Sequence, residues 1–241
     1  MPRHPVIAID GPAGSGKSTA ARLLARRLGF THVDTGALYR TVTLLALERG
    51  ADLGDEAALA GLVPEIRVRF EPCSESRGAL LQGEPAADGV RVFSAGRDVS
   101  AAIRRPELAA QVRHAARSAL VRRALLPVQR EFAAAGPVVM EGRDIGTVIF
   151  PDAEVKFYLD APLEIRAERR WRELVAAGSP ATLEEVRRQE AARDESDLRR
   201  AVAPLRRAAD AVVVDTGGLS VAAMVERLAE LAGARLKGGG R

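Results

Sequence analysis

The hydrophobic pattern of this chain changes period along its length, and the changes mark its elements. Val6-Ile7-Ala8-Ile9-Asp10 is a short apolar run closed by a carboxylate. Such a run suits a parallel strand covered on both faces. A glycine-rich loop, 11–16, follows it. From Lys17 to Leu28 the period becomes helical, with Ala21, Leu24, Ala25 and Leu28 on one face. Gly29 then sits where a helix C-terminus expects glycine. Residues 31–34 predict a second strand, and 39–49 a second helix stopped by Gly50. Later apolar runs at 137–141, 154–160 and 211–215 predict three more strands. Helical patterns fall at 106–135, 162–177, 182–193 and 221–231. Strands alternating with helices predict an α/β fold: a five-stranded parallel sheet flanked by helices.

Residues 64–100 break this rhythm. The stretch 65–70 alternates polar and apolar, as in a strand with one wet face. Short candidates at 78–82 and 89–93 are separated by turn residues. The expectation is a small antiparallel β insertion over 63–100, set into a core of 1–62 and 101–241. Residues 237–241 are expected to form a frayed tail.

Composition narrows the class. At 241 residues the chain can bury a full core without staples. Its 47% hydrophobic and 28% charged residues exclude a wholly disordered chain. No apolar run is long enough to span a membrane, and no signal peptide is read at the N-terminus. A single cysteine, Cys73, permits no intrachain disulfide, which points to a reducing cytoplasmic setting. The net charge of +4 suits either nucleic acid or phosphorylated small molecules. With only six Phe, two Tyr and one Trp, there is little to stack bases on, so nucleic acid is not the expected partner.

The most specific chemistry lies in the first loop. Gly11-Pro12-Ala13-Gly14-Ser15-Gly16-Lys17-Ser18 satisfies G-x-x-x-x-G-K-[ST] at every fixed position. Glycines let the backbone turn tightly and approach phosphate oxygens. The amide N–H groups then point into the loop and hold anionic oxygen, helped by the positive end of the following helix. Lys17 brings a point charge to the outer phosphates. Ser18 offers a hydroxyl to Mg²⁺. A lysine is informative in a chain that otherwise uses arginine, because a forked guanidinium would not substitute for it. A ligand-free glycine turn is the plain alternative, but strand before and helix after are the context the motif demands.

Three further constellations bear on the acceptor. Asp34 and Thr35 end the second predicted strand, where ligands of such sheets bind, and Arg40 follows in the helix. The alternative is an N-cap with a solvated arginine. Glu141-Gly142-Arg143-Asp144 follows the third strand, and charges there are costly unless used. Arg143 can fork onto a phosphate, Asp144 can accept from an exocyclic amine, and an internal ion pair is the alternative. Arg193, Asp197 and Arg200 are spaced i, i+4, i+7, which predicts one helix face carrying all three. That set suits a phosphorylated sugar, whereas a salt-bridged surface helix is the bland reading.

Four segments together resemble the bacterial cytidylate kinase family. They are Asp10-Gly11-Pro12 with its loop, 34–40 (DTGALYR), 141–148 (EGRDIGTV), and 193–205, from Arg193-Asp194 to Pro204-Leu205. The resemblance runs from about Val6 to Leu231, and it implies a P-loop kinase core with a helical lid. It implies transfer of a phosphoryl group from ATP, with Mg²⁺, to CMP or dCMP. Gly11, Pro12, Ala13, Gly14, Ser15, Gly16, Lys17, Ser18 and Thr19 would hold ATP. Arg40, Arg143 and Arg200 would hold the CMP phosphate. Arg193 and Asp197 would hold the sugar, Asp144 and Arg122 would read the cytosine, and Thr35 would stand nearby. Lys17, Arg143, Arg193 and Arg200 are thereby the expected catalytic cations. Arg166, Arg169 and Arg170 match arginines of the family's lid, here 161–193, with Arg166 and Arg170 assigned to ATP. Asp215-Thr216-Gly217-Gly218 resembles the loop beside the adenine. Where the family usually has a serine touching the base, an ungapped match places Arg113. Beyond Ser18, the Mg²⁺ ligands stay open among Asp34, Glu141 and Asp144. The expected protein is a cytoplasmic monomer without nucleic-acid or membrane partners.

Overall fold

The computed structural model describes residues 4–66, 68–72 and 90–238. The expected strand at 78–82 and Cys73 lie outside the described residues. The chain forms two compact units, one built from residues 1–30 and 133–241, the other from 31–132.

In the first unit, β1 (Val6–Asp10) leads into the loop and α1 (Lys17–Leu28), at the boundaries the sequence predicts. Every residue of β1 is buried, as its apolar run requires. In the second unit, β2 (Thr31–Asp34) runs directly into α2 (Thr35–Glu48). The helix therefore starts four residues before the expected Tyr39, because Asp34 occupies the N-cap position in an extended conformation. A short α3 (Glu56–Gly61) follows. The insertion contains β3 (Arg69–Pro72), β4 (Val90–Ser94) and β5 (Arg97–Asp98), paired antiparallel in that order. The alternation read at 65–70 does not begin a strand there. Pro64, lacking an N–H, sits in a 3₁₀ turn over Val63–Glu65, and Ile66 packs into the core of this unit. A two-residue turn at Ala95 and Gly96, both with positive φ, joins β4 to β5.

The single helix expected over 106–135 is two, α4 (Pro106–Arg117) and α5 (Ala119–Ala135). Ser118 divides them with extended backbone. Its hydroxyl accepts from Val121 N–H at 3.2 Å and donates to Glu56 Oε2 at 2.6 Å. A serine's capability for local capping outweighs helix continuation here.

The first unit resumes with β6 (Val138–Glu141), a π-helical turn over Ile145–Ile149, β7 (Val155–Asp160), α6 (Leu163–Ala176), α7 (Leu183–Leu198), β8 (Val212–Asp215) and α8 (Val221–Gly238). The larger sheet has the five strands expected. Four of them lie in this unit in the order β6–β1–β7–β8, with parallel pairing throughout. Ile7, Ile9, Phe157 and Leu159 from the sheet pack with Leu24 of α1 and Leu228 of α8. In the second unit Leu38, Val42, Leu59, Val121 and Leu125 form the core. The last helix extends through Gly238, and the rest of the expected tail, 239–241, lies outside the described residues. Among the described residues no helix is long and apolar enough to cross a membrane.

Candidate active site

The phosphate loop is held from outside so that its amides can face inward. A Cβ at Gly11, whose φ is +145°, would come within 2.0 Å of the Leu159 carbonyl oxygen, so only glycine fits the step from β1. At Gly14 a Cβ would meet the Arg166 side chain at 2.9 Å. The loop's carbonyls are engaged by donors around it. Ser15 Oγ donates to the Pro12 carbonyl at 2.9 Å. Thr216 Oγ1 donates to the Ser15 carbonyl at 2.9 Å. Arg166 Nη1 donates to the Ala13 carbonyl at 3.1 Å. Such anchoring commits the carbonyls to protein and leaves the N–H groups available for an anion.

Lys17 is buried, and its Nζ donates to the Pro12 carbonyl and, at 3.3 Å, to Ser15 Oγ. Burial, together with the Arg143 and Arg193 cations, holds its ammonium well below the ordinary lysine range, against the pull of Glu141 and Asp10. Ser18 is exposed, and its hydroxyl donates to Glu141 Oε2 at 2.7 Å. A hydroxyl and a carboxylate in contact are hard oxygen donors of the kind Mg²⁺ takes alongside waters and phosphate oxygens. Among the described residues there is no cluster of three or more His, Cys, Asp or Glu suited to a metal. The oxygen pair of Ser18 and Glu141 fits a hard divalent cation such as Mg²⁺.

A cationic cluster forms in the same unit around Asp197. Arg143 Nε donates to its Oδ2 at 2.8 Å, and Arg200 Nη1 lies 4.0 Å from Oδ1. Although burial pushes the Asp197 carboxyl up, Arg143, Arg200 and Arg193 together hold it below the usual range. The expectation that Arg193, Asp197 and Arg200 share one helix face is corrected. α7 ends at Leu198, and Arg200 lies in the irregular segment beyond. The turn is built by Ala203, whose φ is +50°, by the bond from Arg200 Nη2 to the Ala203 carbonyl at 2.9 Å, and by Leu205 N–H to the Asp197 carbonyl at 2.8 Å. Local bonds beyond the helix end thus keep Arg200 near Asp197. Asp144 is buried directly after Arg143.

Arg166 is buried on α6 and donates to Ala161 and Ala13 carbonyls and to Asp194 Oδ2 at 2.6 Å. It ties the loop to α7 one residue from Arg193. Arg169 donates to the Thr216 carbonyl at 2.6 Å and to its hydroxyl at 3.2 Å. Arg170 is exposed and pairs with Glu173. Thr216, Asp194 and Asp10 fall inside the resembling segments, but the sequence reading gives none of them a role of its own. A carboxylate ending a wholly apolar strand is the signal that marks Asp10.

In the second unit Thr35 is buried at the start of α2, and Arg40 donates to Asp34. Burial would raise the Asp34 carboxyl, but Arg40 and His32 hold it below its ordinary range. The Gly36 position explains a glycine there, since a Cβ would stand 3.1 Å from Arg40 Nη1. Arg122 is buried on α5, donates to the Ala116 carbonyl at 3.1 Å and lies over the Tyr39 ring, 5.4 Å from its centre. Arg113 is exposed on α4. Arg113 and Arg122 lie on different helices, on either side of the break at Ser118.

Comparison with known proteins extends the motif match to nearly the whole chain. Residues 7–234 match the family model described as cytidylate kinase. A cytidylate kinase of Exiguobacterium sibiricum is 46% identical over 231 residues, covering 96% of this chain and 98% of that protein. One of Carboxydothermus hydrogenoformans is 45% identical over 227 residues, covering 94% and 96%. Among solved structures, a shikimate kinase of Acinetobacter baumannii aligns over 99% of this chain and 96% of its own, at 16% identity and a TM-score of 0.43.

Proposed function

The chain belongs to the cytidylate kinase family, and from that membership we propose that it catalyses ATP + CMP → ADP + CDP, with dCMP accepted in the same way. The observation that carries this reading is the coexistence, in one unit, of a complete phosphate loop with the Arg143–Asp197–Arg200 cluster.

The acceptor is a phosphate monoester whose second pKa is about 6, so at neutral pH it is mostly ionised and needs no general base. His4, His32 and His114 accordingly take no part. Catalysis is positioning and charge neutralisation during in-line transfer. The loop amides of Gly11–Thr19 and Lys17 bind the donor phosphates. Arg143, Arg193 and Arg200 are assigned to the acceptor phosphate and to the charge that develops on the transferred group. Arg193 and Asp197 are also assigned to the sugar, and Asp197 keeps the guanidiniums apart and aimed until substrate arrives. Arg40 and Thr35 are assigned to the CMP side, and Asp144 and Arg122 to the cytosine. Arg166 acts on the donor through the loop it braces, and Arg170 from the exposed face of the lid, 161–193. Mg²⁺ would be held by Ser18, with Glu141 oriented beside it, and when bound it neutralises donor phosphate charge. The insertion, 63–100, is assigned to the nucleoside monophosphate. The protein works as a cytoplasmic monomer without nucleic acid.

Replacing Lys17 by Met, or Arg143 by Ala, is expected to lower CMP-dependent ADP release on the order of a hundredfold or more, since each removes a charge aimed at the transferred group. Circular dichroism should show both variants folded. Near-normal turnover in either one removes that residue from its assigned role.

A further inference from the structure

Asp10 has no part in the steps above, yet its placement is costly. It is buried at the end of an apolar strand, where an anion is tolerated only if its oxygens are engaged. Both are. Ile145 N–H donates to Oδ1 at 2.8 Å, and Gly146 N–H donates to Oδ2 at 2.8 Å. These are the first two amides of the 145–149 turn, where N–H groups have no partner within the turn itself. The turn follows directly on Arg143 and Asp144. On the other side of Arg143, Gly142 N–H donates to the Ile9 carbonyl at 3.0 Å. β1 therefore grips this segment twice, by backbone before Arg143 and by carboxylate after Asp144. The far side is closed as well. A Cβ at Gly146 would stand 3.1 Å from Lys156 Cδ and 3.4 Å from Asp10 Oδ2.

We propose that Asp10 is a positioning residue for the acceptor nucleotide. It fixes the backbone on which Arg143 and Asp144 stand and references that backbone to the strand that presents the phosphate loop. It touches no substrate itself. The inference rests on the CMP kinase reading, because it assigns Arg143 and Asp144 to CMP.

The test is Asp10→Asn, which keeps the shape but turns one acceptor into an NH₂ group facing an N–H. Leaving a buried amide unpaired weakens the segment enough to raise the KM for CMP about tenfold or more, while the KM for ATP stays within about twofold. Amide hydrogen exchange at Ile145 and Gly146 should accelerate in the same variant, a readout independent of turnover. A KM for CMP within about twofold of wild type, or an equal rise in both KM values, overturns the proposal. If Asp10→Asn does not fold, Gly146→Ala takes its place. With Asp10 intact, its added Cβ crowds Lys156 Cδ at 3.1 Å and reaches Asp10 Oδ2 at 3.4 Å. Faster amide exchange at Ile145 in that variant should come with the same split between CMP and ATP, and faster exchange without the split overturns the proposal. Wild-type protein that turns over CMP while the variants show no split contradicts the role of Asp10 alone. Wild-type protein that does not use CMP contradicts the reading beneath it.

Discussion

At the scale of single residues, the site is governed by charges that the fold holds at a cost. Burial pushes the Asp10 carboxyl up from 3.8 to about 6, against the bonds from Gly146 and Ile145, with Asp144 adding to the rise and Lys17 opposing it. The folded state therefore binds a proton at Asp10 more tightly than the unfolded chain does. Between about pH 4 and 6 its contribution to stability is present at the acid end and is lost as pH rises through the folded value. Asparagine does not titrate. The unfolding free energy of wild type relative to Asp10→Asn should thus improve as pH falls from 7 to 4, by up to ~3 kcal/mol. Urea unfolding of both proteins at the two pH values checks this, and a difference that does not move with pH contradicts it. The phosphate loop was fully legible at this scale, because its chemistry is local: spacing alone fixes Gly11 to Ser18. The bonds of Asp10 to Ile145 and Gly146, of Arg166 to Ala13, and of Asp197 to Arg143 are not, because each joins residues distant in sequence.

At the scale of elements, legibility follows the same division. β1 and α1 fall where the periodicity puts them, since one is fully buried and the other amphipathic. Breaks inside helical patterns are harder to read. Residues 106–135 carry an unbroken helical period, yet Ser118 divides them because its hydroxyl serves Glu56 and Val121 at once. Likewise i, i+4, i+7 spacing assumes a helix that continues, whereas α7 ends before Arg200, whose guanidinium is held beside Asp197 by its bond to the Ala203 carbonyl. The Ser118 break is energetically real if removing the hydroxyl costs the cap. Ser118→Ala should destabilise the protein by about 1 kcal/mol, and Glu56→Gln by less, since its exposed amide oxygen can still accept. Denaturation midpoints measure both, and an unchanged midpoint in Ser118→Ala would sink the capping account.

At the scale of the molecule, family membership covers nearly the whole chain, and the cationic side chains follow phosphate chemistry rather than a diffuse basic surface. Arg143, Arg193 and Arg200 gather on Asp197, whereas exposed arginines such as Arg172, Arg187 and Arg199 are neutralised by glutamates one helical turn away. The most direct measurement is ADP release by the purified protein with MgATP and CMP, dCMP, UMP, AMP or GMP offered separately. Rapid turnover with CMP and dCMP and little with the others is the predicted result, and it would make Arg113 a tolerated residue. ATP binding without turnover of any monophosphate would contradict the account at its acceptor while leaving the phosphate loop intact.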